Sequence, residues 1–182
     1  MLNLTEKKIT LLRGLIGYNF NELVPVNIDK SEIKPFTYMS HNLKMTIQFK
    51  INNDVKQIAI ESFFVENDDG DTFYDFTIEQ TDPMEYKKLP KITFHSSPIK
   101  EILVYGRKFE IDDFKDRPEI YQKFIGTNKT DDALIFKCED DQEVLLYFHY
   151  FLPHFKLTQN RNEIEFFWNN FGELYEKHWT IE

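Results

Sequence analysis

The 182-residue chain carries 31 Asp and Glu against 22 Lys and Arg, a formal charge of −9, and 16% of its residues are aromatic. That balance argues against nucleic acid as a partner, because phosphate neutralisation by Lys and Arg supplies most of such affinity; the 41% hydrophobic content argues against a disordered chain. No run approaches the roughly 20 apolar residues of a membrane span, and Glu6, Lys7, Lys8 and Arg13 interrupt the first segment before a secretory apolar core can form.

Cys138 is the single cysteine, which excludes an intrachain disulfide and a cysteine-rich zinc site. A reducing, cytoplasmic setting with no membrane partner is therefore expected.

In chain order, Leu4, Ile9, Leu12 and Ile16 recur at helical spacing, with Thr5 as the cap, Asn3 with Glu6 as a competing capping box, and Gly17 as the stop. Pro25 and Pro35 bracket a stretch that reads as loop. From Leu43 the texture becomes strand-like: LKMTIQFKI, a turn at Asn52-Asn53-Asp54, VKQIAIESFFV, then TFYDFTIEQ, KITFH and IKEILVYGRKFEI. RPEIYQKFIG reads as a short helix opened by Pro118 and closed by Gly126. The strands ALIFKC and EVLLYFHYF flank an acidic turn, and Asn162 with Glu165 forms a capping box for a last helix through EIEFFWNNFGELYEKHW.

Strands that follow strands, without regular helical crossovers, predict a single α+β domain over residues 1–182. Its sheet is largely antiparallel, of about six to eight strands, packed by an N-terminal and a C-terminal helix. The segments FFVENDDGDTFYDF and IFKCEDDQEVLLYF share a run, an acidic turn and a second run, as two hairpins of one sheet would.

The motif NDDGD invites comparison with a calcium loop. An EF-hand register on Gly70 puts Val65 and Phe76 where oxygen ligands are required, so that reading fails. Asp69-Gly70 suits a two-residue hairpin turn, with Val65 opposite Tyr74 and Phe63 opposite Phe76. His149 and His154 in HYFLPH lack the four-residue helical spacing and the Glu of a metalloprotease, and Pro153 intervenes. His41 and His178 have no ligand-like company in sequence, and Ser96 and Ser97 beside His95 read as loop caps before Pro98.

Cys138 reads as a small buried hydrophobe. The pairs Asp112-Asp113 and Asp131-Asp132, with Asp116, read as capping or solvated turns. No catalytic residue, metal ligand or cofactor is assigned.

These readings favour a small acidic protein-binding module, such as an immunity or inhibitor protein that covers a basic partner. Asp68, Asp69, Asp71, Glu139, Asp140 and Asp141 are its steering acids and Tyr74 an aromatic anchor. The alternatives are a ligand binder with Tyr105, Tyr147 and Tyr150 in an aromatic pocket, and a metal-dependent enzyme using His149 or His154. The apolar stripe of the last helix serves its own sheet or a second copy of the chain, so a homo-oligomer stays open.

Overall fold

The computed structural model describes residues 4–25, 31–34, 37–41, 44–66, 72–83, 92–107, 131–149 and 154–182. In chain order these form α1 (Glu6–Arg13), β1 (Asn19–Pro25), β2 (Ser31–Lys34), β3 (Thr37–His41), β4 (Lys44–Ile51), β5 (Asp54–Glu66), β6 (Thr72–Thr81) and β7 (Ile92–Thr93). Then come β8 (Ile99–Arg107), β9 (Asp131–Cys138), β10 (Glu143–His149), β11 (His154–Thr158), α2 (Arg161–Phe171), a 3-10 turn (Gly172–Leu174) and β12 (Tyr175–Ile181).

The strands make two sheets, ordered β6-β5-β4-β1-β7 and β12-β8-β9-β10-β11-β3-β2. Every recorded pairing is antiparallel.

The antiparallel α+β character agrees with the sequence, but the strand count and the helix arrangement do not. The described residues form twelve strands in two sheets instead of one sheet of six to eight, and their main core lies between the sheets instead of under two helices. The two hairpins with acidic turns, β5–β6 and β9–β10, belong to different sheets. The stretch read as loop between Pro25 and Pro35 contains β2, and no strand was expected at β1 or β3 on either side of it; β1 is an interior strand between β4 and β7, and its polar Asn19, Asn21 and Glu22 masked the pattern. The helix expected over 117–126 lies outside the described residues.

Phenylalanines knit the inter-sheet core. Phe20 on β1 packs against Phe49 on β4 (ring centroids 4.7 Å) and edge-on against Phe136 on β9 (4.9 Å), while Phe76 on β6 meets Phe148 on β10 (4.8 Å). On β9, Leu134, Phe136 and Cys138 join that core, whereas Ala133 and Ile135 join a second cluster with Leu103, Leu145, Ile164 and Phe167. Thus β9 is covered on both faces, which explains why ALIFKC reads as a nearly continuous apolar run.

Helix α1 is capped by Thr5, as expected, and reaches from β6, an edge strand of one sheet, to β12, an edge strand of the other. Gly17 takes a positive φ of 83° in the turn that follows α1.

The last helix begins and ends earlier than its sequence suggests. The Asn160 side chain accepts the Asn162 N–H at 3.0 Å and caps the helix two residues before the expected Asn162. It stops at Phe171 and Gly172, and residues 175–181 leave as β12 to pair with β8. Gly at this point removes helical support, and the strand recovers hydrogen bonds along the sheet edge.

A register shift between Lys177 and Trp179 brings His178 inward, its side chain 3% exposed. His178 Nδ1 lies 3.0 Å from Asp131 Oδ1, and Asp131 Oδ2 accepts the Leu4 N–H at 2.9 Å. Asp131 and Asp132 are therefore buried at the head of β9, not solvated in a turn.

The β4–β5 connection is a two-residue turn at Asn52-Asn53, with Asn52 at φ 52°, as its sequence suggests. The β5–β6 register differs from expectation: Val65 pairs with Phe73, and Phe63 with Asp75, while Ser62 stands opposite Phe76. A shift of one residue exchanges faces, and accordingly Phe63 is 46% exposed while Phe76 is buried.

These placements rank three substitutions in urea denaturation. Phe136→Ala is expected to lose about 3–5 kcal/mol through the cavity it leaves, and Phe63→Ala at most about 0.5 kcal/mol. His178→Ala, which strips a buried carboxylate of its partner, is expected to cost about 2–3 kcal/mol.

Candidate functional site

Of the sequence-derived partner residues, Asp68, Asp69 and Asp71 lie outside the described residues. Tyr74 is placed by its backbone alone, in β6 opposite Phe64. Glu139, Asp140 and Asp141 lie in the connection between β9 and β10, as the sequence indicates, and are the three residues enclosed where Cys138 meets Gln142. The Cys138 N–H donates to Gln142 O and the Asp141 N–H to Cys138 O, with Asp141 in the left-handed region at φ 61°. A turn closed by one left-handed residue is a common three-residue hairpin solution, and Asp tolerates that conformation better than most side chains.

The acids of this turn are not equally free to meet a partner. Asp140 Oδ1 accepts from Ser97 Oγ at 2.6 Å and from the Gln142 N–H at 3.2 Å, and Ser97 Oγ accepts the Asp140 N–H at 3.0 Å. This carboxylate therefore staples the turn to the 94–98 loop. Ser96 acts in the same way, accepting the Phe20 N–H at 2.8 Å, so both serines are caps as expected.

Asp141 pairs with Lys100 at 2.8 Å. The hydrogen bond from the ammonium holds the Asp141 carboxyl below its ordinary range and raises the Lys100 amine. Both groups are exposed, so solvent screens the pair.

What the turn contributes to is a cleft of about 820 Å³ against α2. Asp140, Asp141 and Glu143 rim it from the hairpin, and Arg161, Glu165 and Trp168 line it from the helix. Arg161, Glu165 and Trp168 recur at helical spacing, which sets them along one flank of α2. Four carboxylates therefore face one guanidinium, and Arg161 already pairs with Glu165 at 2.8 Å. Trp168 is held from below by Tyr105 (4.8 Å between centroids) and by Phe167 edge-on (5.1 Å).

Away from the cleft, Phe166 (61% exposed) and Phe171 stand on the surface of α2 at 6.5 Å centroid separation, and Trp179 is exposed on β12. Sequence reasoning did not single out Glu143 or Phe166, and gave Glu165 only a capping role. The signal for Phe166 was present in FFW: consecutive residues on a helix lie about 100° apart, so three aromatics in a row cannot all face one core. Glu143 and Glu165 carry no local signal, because only the packing of α2 on the sheet brings them together.

The tyrosines proposed for a ligand pocket pack beneath α2: Tyr105 on Trp168, and Tyr147 on Phe167 at 4.9 Å. Tyr150 lies outside the described residues, as do Asp112, Asp113 and Asp116. Among residues with described side chains, no group of three or more His, Cys, Asp or Glu is placed to hold a metal ion. Among the described residues no helix is long and apolar enough to cross a membrane.

Cys138 is buried, and burial, reinforced by Asp140, pushes its thiol up to about 11. His149 lies at the opposite end of the β9–β10 hairpin from Cys138.

Two outcomes follow. Native Cys138 resists a thiol-specific disulfide reagent at pH 8 and reacts fully in denaturant. Because its folded value lies above the unfolded 9.0, its contribution to stability is complete below pH 9 and is lost as pH rises towards 11. At the turn, Asp141→Val is expected to lower stability by about 1 kcal/mol in chemical denaturation, whereas Asp141→Gly removes the strain of the left-handed position and is tolerated.

No protein-family profile, curated protein or solved structure matches this chain.

Proposed function

We propose that this protein is an acidic protein-binding module whose cleft between the β9–β10 turn and α2 receives a basic segment of a partner protein. The observation that supports the reading is the composition of that cleft: Asp140, Asp141, Glu143 and Glu165 around Trp168, in a chain of net charge −9. A half-buried indole ringed by acids is the pattern in which an aromatic anchor supplies residence time and charges supply encounter rate. The narrower form is an immunity or inhibitor protein covering a cationic toxin; charge complementarity makes a basic surface its natural counterpart.

The steering role is narrower than the sequence implied. Asp140 is committed to the turn, Asp141 shares its charge with Lys100 and Glu165 shares its charge with Arg161, so the field of the cleft depends on Glu143 as well as on the turn itself.

The test is affinity capture from the native cell with the wild type and with Asp141→Lys/Glu143→Lys/Glu165→Lys, leaving Asp140 in place. The wild type is expected to retain a basic protein that the variant loses. Association of that partner should slow by roughly tenfold or more at low ionic strength, with the salt dependence abolished. Trp168→Ala should mainly shorten the lifetime of the complex. Unchanged association and salt dependence in the triple variant would sink the proposal.

A further inference from the structure

The chain is acidic overall, yet a second cleft, of about 520 Å³, is lined by more cations than anions. It lies where one flank of α1 faces β5 and β6. Lys7, Lys8 and Lys56 line it against a single carboxylate, Glu79. None of its residues is shared with the acidic cleft, so it stands or falls separately from the protein-binding proposal.

The placement follows from local structure. Lys7, Leu11 and Gly14, at intervals of four and three, run down one flank of α1 to its C-terminal cap. On β5, Lys56 and Ile58 share a face, and Ile58 stands opposite Gln80 on β6, two residues from Ile78. Leu15, Ile58 and Ile78 belong to the inter-sheet core, with Leu11 packed against it, so the cleft has an apolar wall continuous with that core.

Lys56 is held in position there. Its ammonium donates to the Gly14 carbonyl at the end of α1 and lies 4.2 Å from the centre of the Tyr18 ring. Both contacts suit a cation, since the carbonyl is at the negative end of the helix dipole and the ring face is electron-rich. An ammonium has three N–H donors, and the hydrogen bond to Gly14 uses one of them. Among the described residues neither Lys7 nor Lys56 is ion-paired with a carboxylate.

We propose that this cleft binds a small amphiphilic anion, a phosphate or carboxylate head on an apolar body. The lysines meet the head through charge-assisted hydrogen bonds, and Leu11, Leu15, Ile58 and Ile78 cover the body. The volume is that of a small-molecule site, in which apolar walls surround a few charged groups. A net charge of −9 opposes anion binding at large, so the affinity must come from these local contacts.

The experiment titrates the full chain by calorimetry with monomeric octyl phosphate and octanoate. Inorganic phosphate and octanol, each carrying half of the chemistry, are titrated separately. One equivalent of at least one amphiphile is expected to bind, about tenfold or more tighter than inorganic phosphate or octanol. Lys7→Gln/Lys56→Gln should weaken it by about tenfold or more. Lys44→Gln, at the other end of β4 from the partner of Lys56, leaves it unchanged.

Amide spectra of the wild type cover the case in which a variant fails to fold: residues 5–15, 56–58 and 78–80 should respond to the amphiphile, and those of α2 should not. Failure of both amphiphiles to bind, equal affinity for octanol, binding that survives the double substitution in a folded protein, or spectral changes centred on α2 would each overturn the proposal. Vesicles containing phosphatidylglycerol are the remaining arm: binding to them and not to the monomers would transfer the site to a lipid surface and overturn it too.

Discussion

Burial of β9 on both faces is the constraint on which the rest of the structure depends. A strand covered on one face can alternate polar and apolar residues. This one must satisfy the inter-sheet core through Leu134 and Phe136 and the α2 cluster through Ala133 and Ile135. Its neighbours inherit the requirement: β8 supplies Ile102 and Val104 to one side and Leu103 to the other, and β10 divides Val144, Leu146 and Phe148 from Leu145 in the same way. The seven-stranded sheet thus acts as the middle layer of the molecule. With the five-stranded sheet on one side and α2 on the other, the acidic hairpin tip is carried to the rim of the helix, where the cleft forms.

The electrostatics of that rim show how far surface acids are occupied by folding itself. The sequence presents Glu139, Asp140 and Asp141 as equivalent. In the fold, one oxygen of Asp140 replaces missing backbone partners in the turn and Asp141 answers Lys100 across the strand gap. Clustered carboxylates at a turn are commonly just solvated; here two of the three have defined local work. The potential a partner would meet therefore depends on residues brought from the helix and from the start of β10.

The antiparallel character of the fold, the two hairpin turns at Asn52-Asn53 and 139–141, the cap of α1, the capping serines and the burial of Cys138 were legible in the sequence. Each is a local matter: turn chemistry, spacing, or the size and polarity of one side chain. The division into two sheets was not legible, because strand order is decided by which faces meet after collapse, and one-sided and two-sided burial both read as apolar runs.

The end of α2 was misread for a related reason. Tyr175 and Trp179 continue a helical pattern as well as they fit a strand, and only pairing with β8 decides between them. Asp131 was misjudged because a pair of aspartates after the polar run Thr127-Asn128-Lys129-Thr130 looks like a turn until a histidine 47 residues away is found against it. The cleft shares that origin, since Glu143 comes from β10 and Glu165 and Trp168 from α2.

Asp131 carries one further consequence. One of its oxygens holds the backbone of Leu4 at the entry to α1, and the other holds His178 in the last strand. Stripping β12 from the edge of its sheet would remove the histidine that balances this buried carboxylate, and the carboxylate would then draw in water at the point where the first helix is anchored. The first and last elements of the fold are thereby joined into one cooperative unit. Amide hydrogens of α1 and of β12 should exchange with solvent through the same partial opening, although more than 160 positions separate them along the chain.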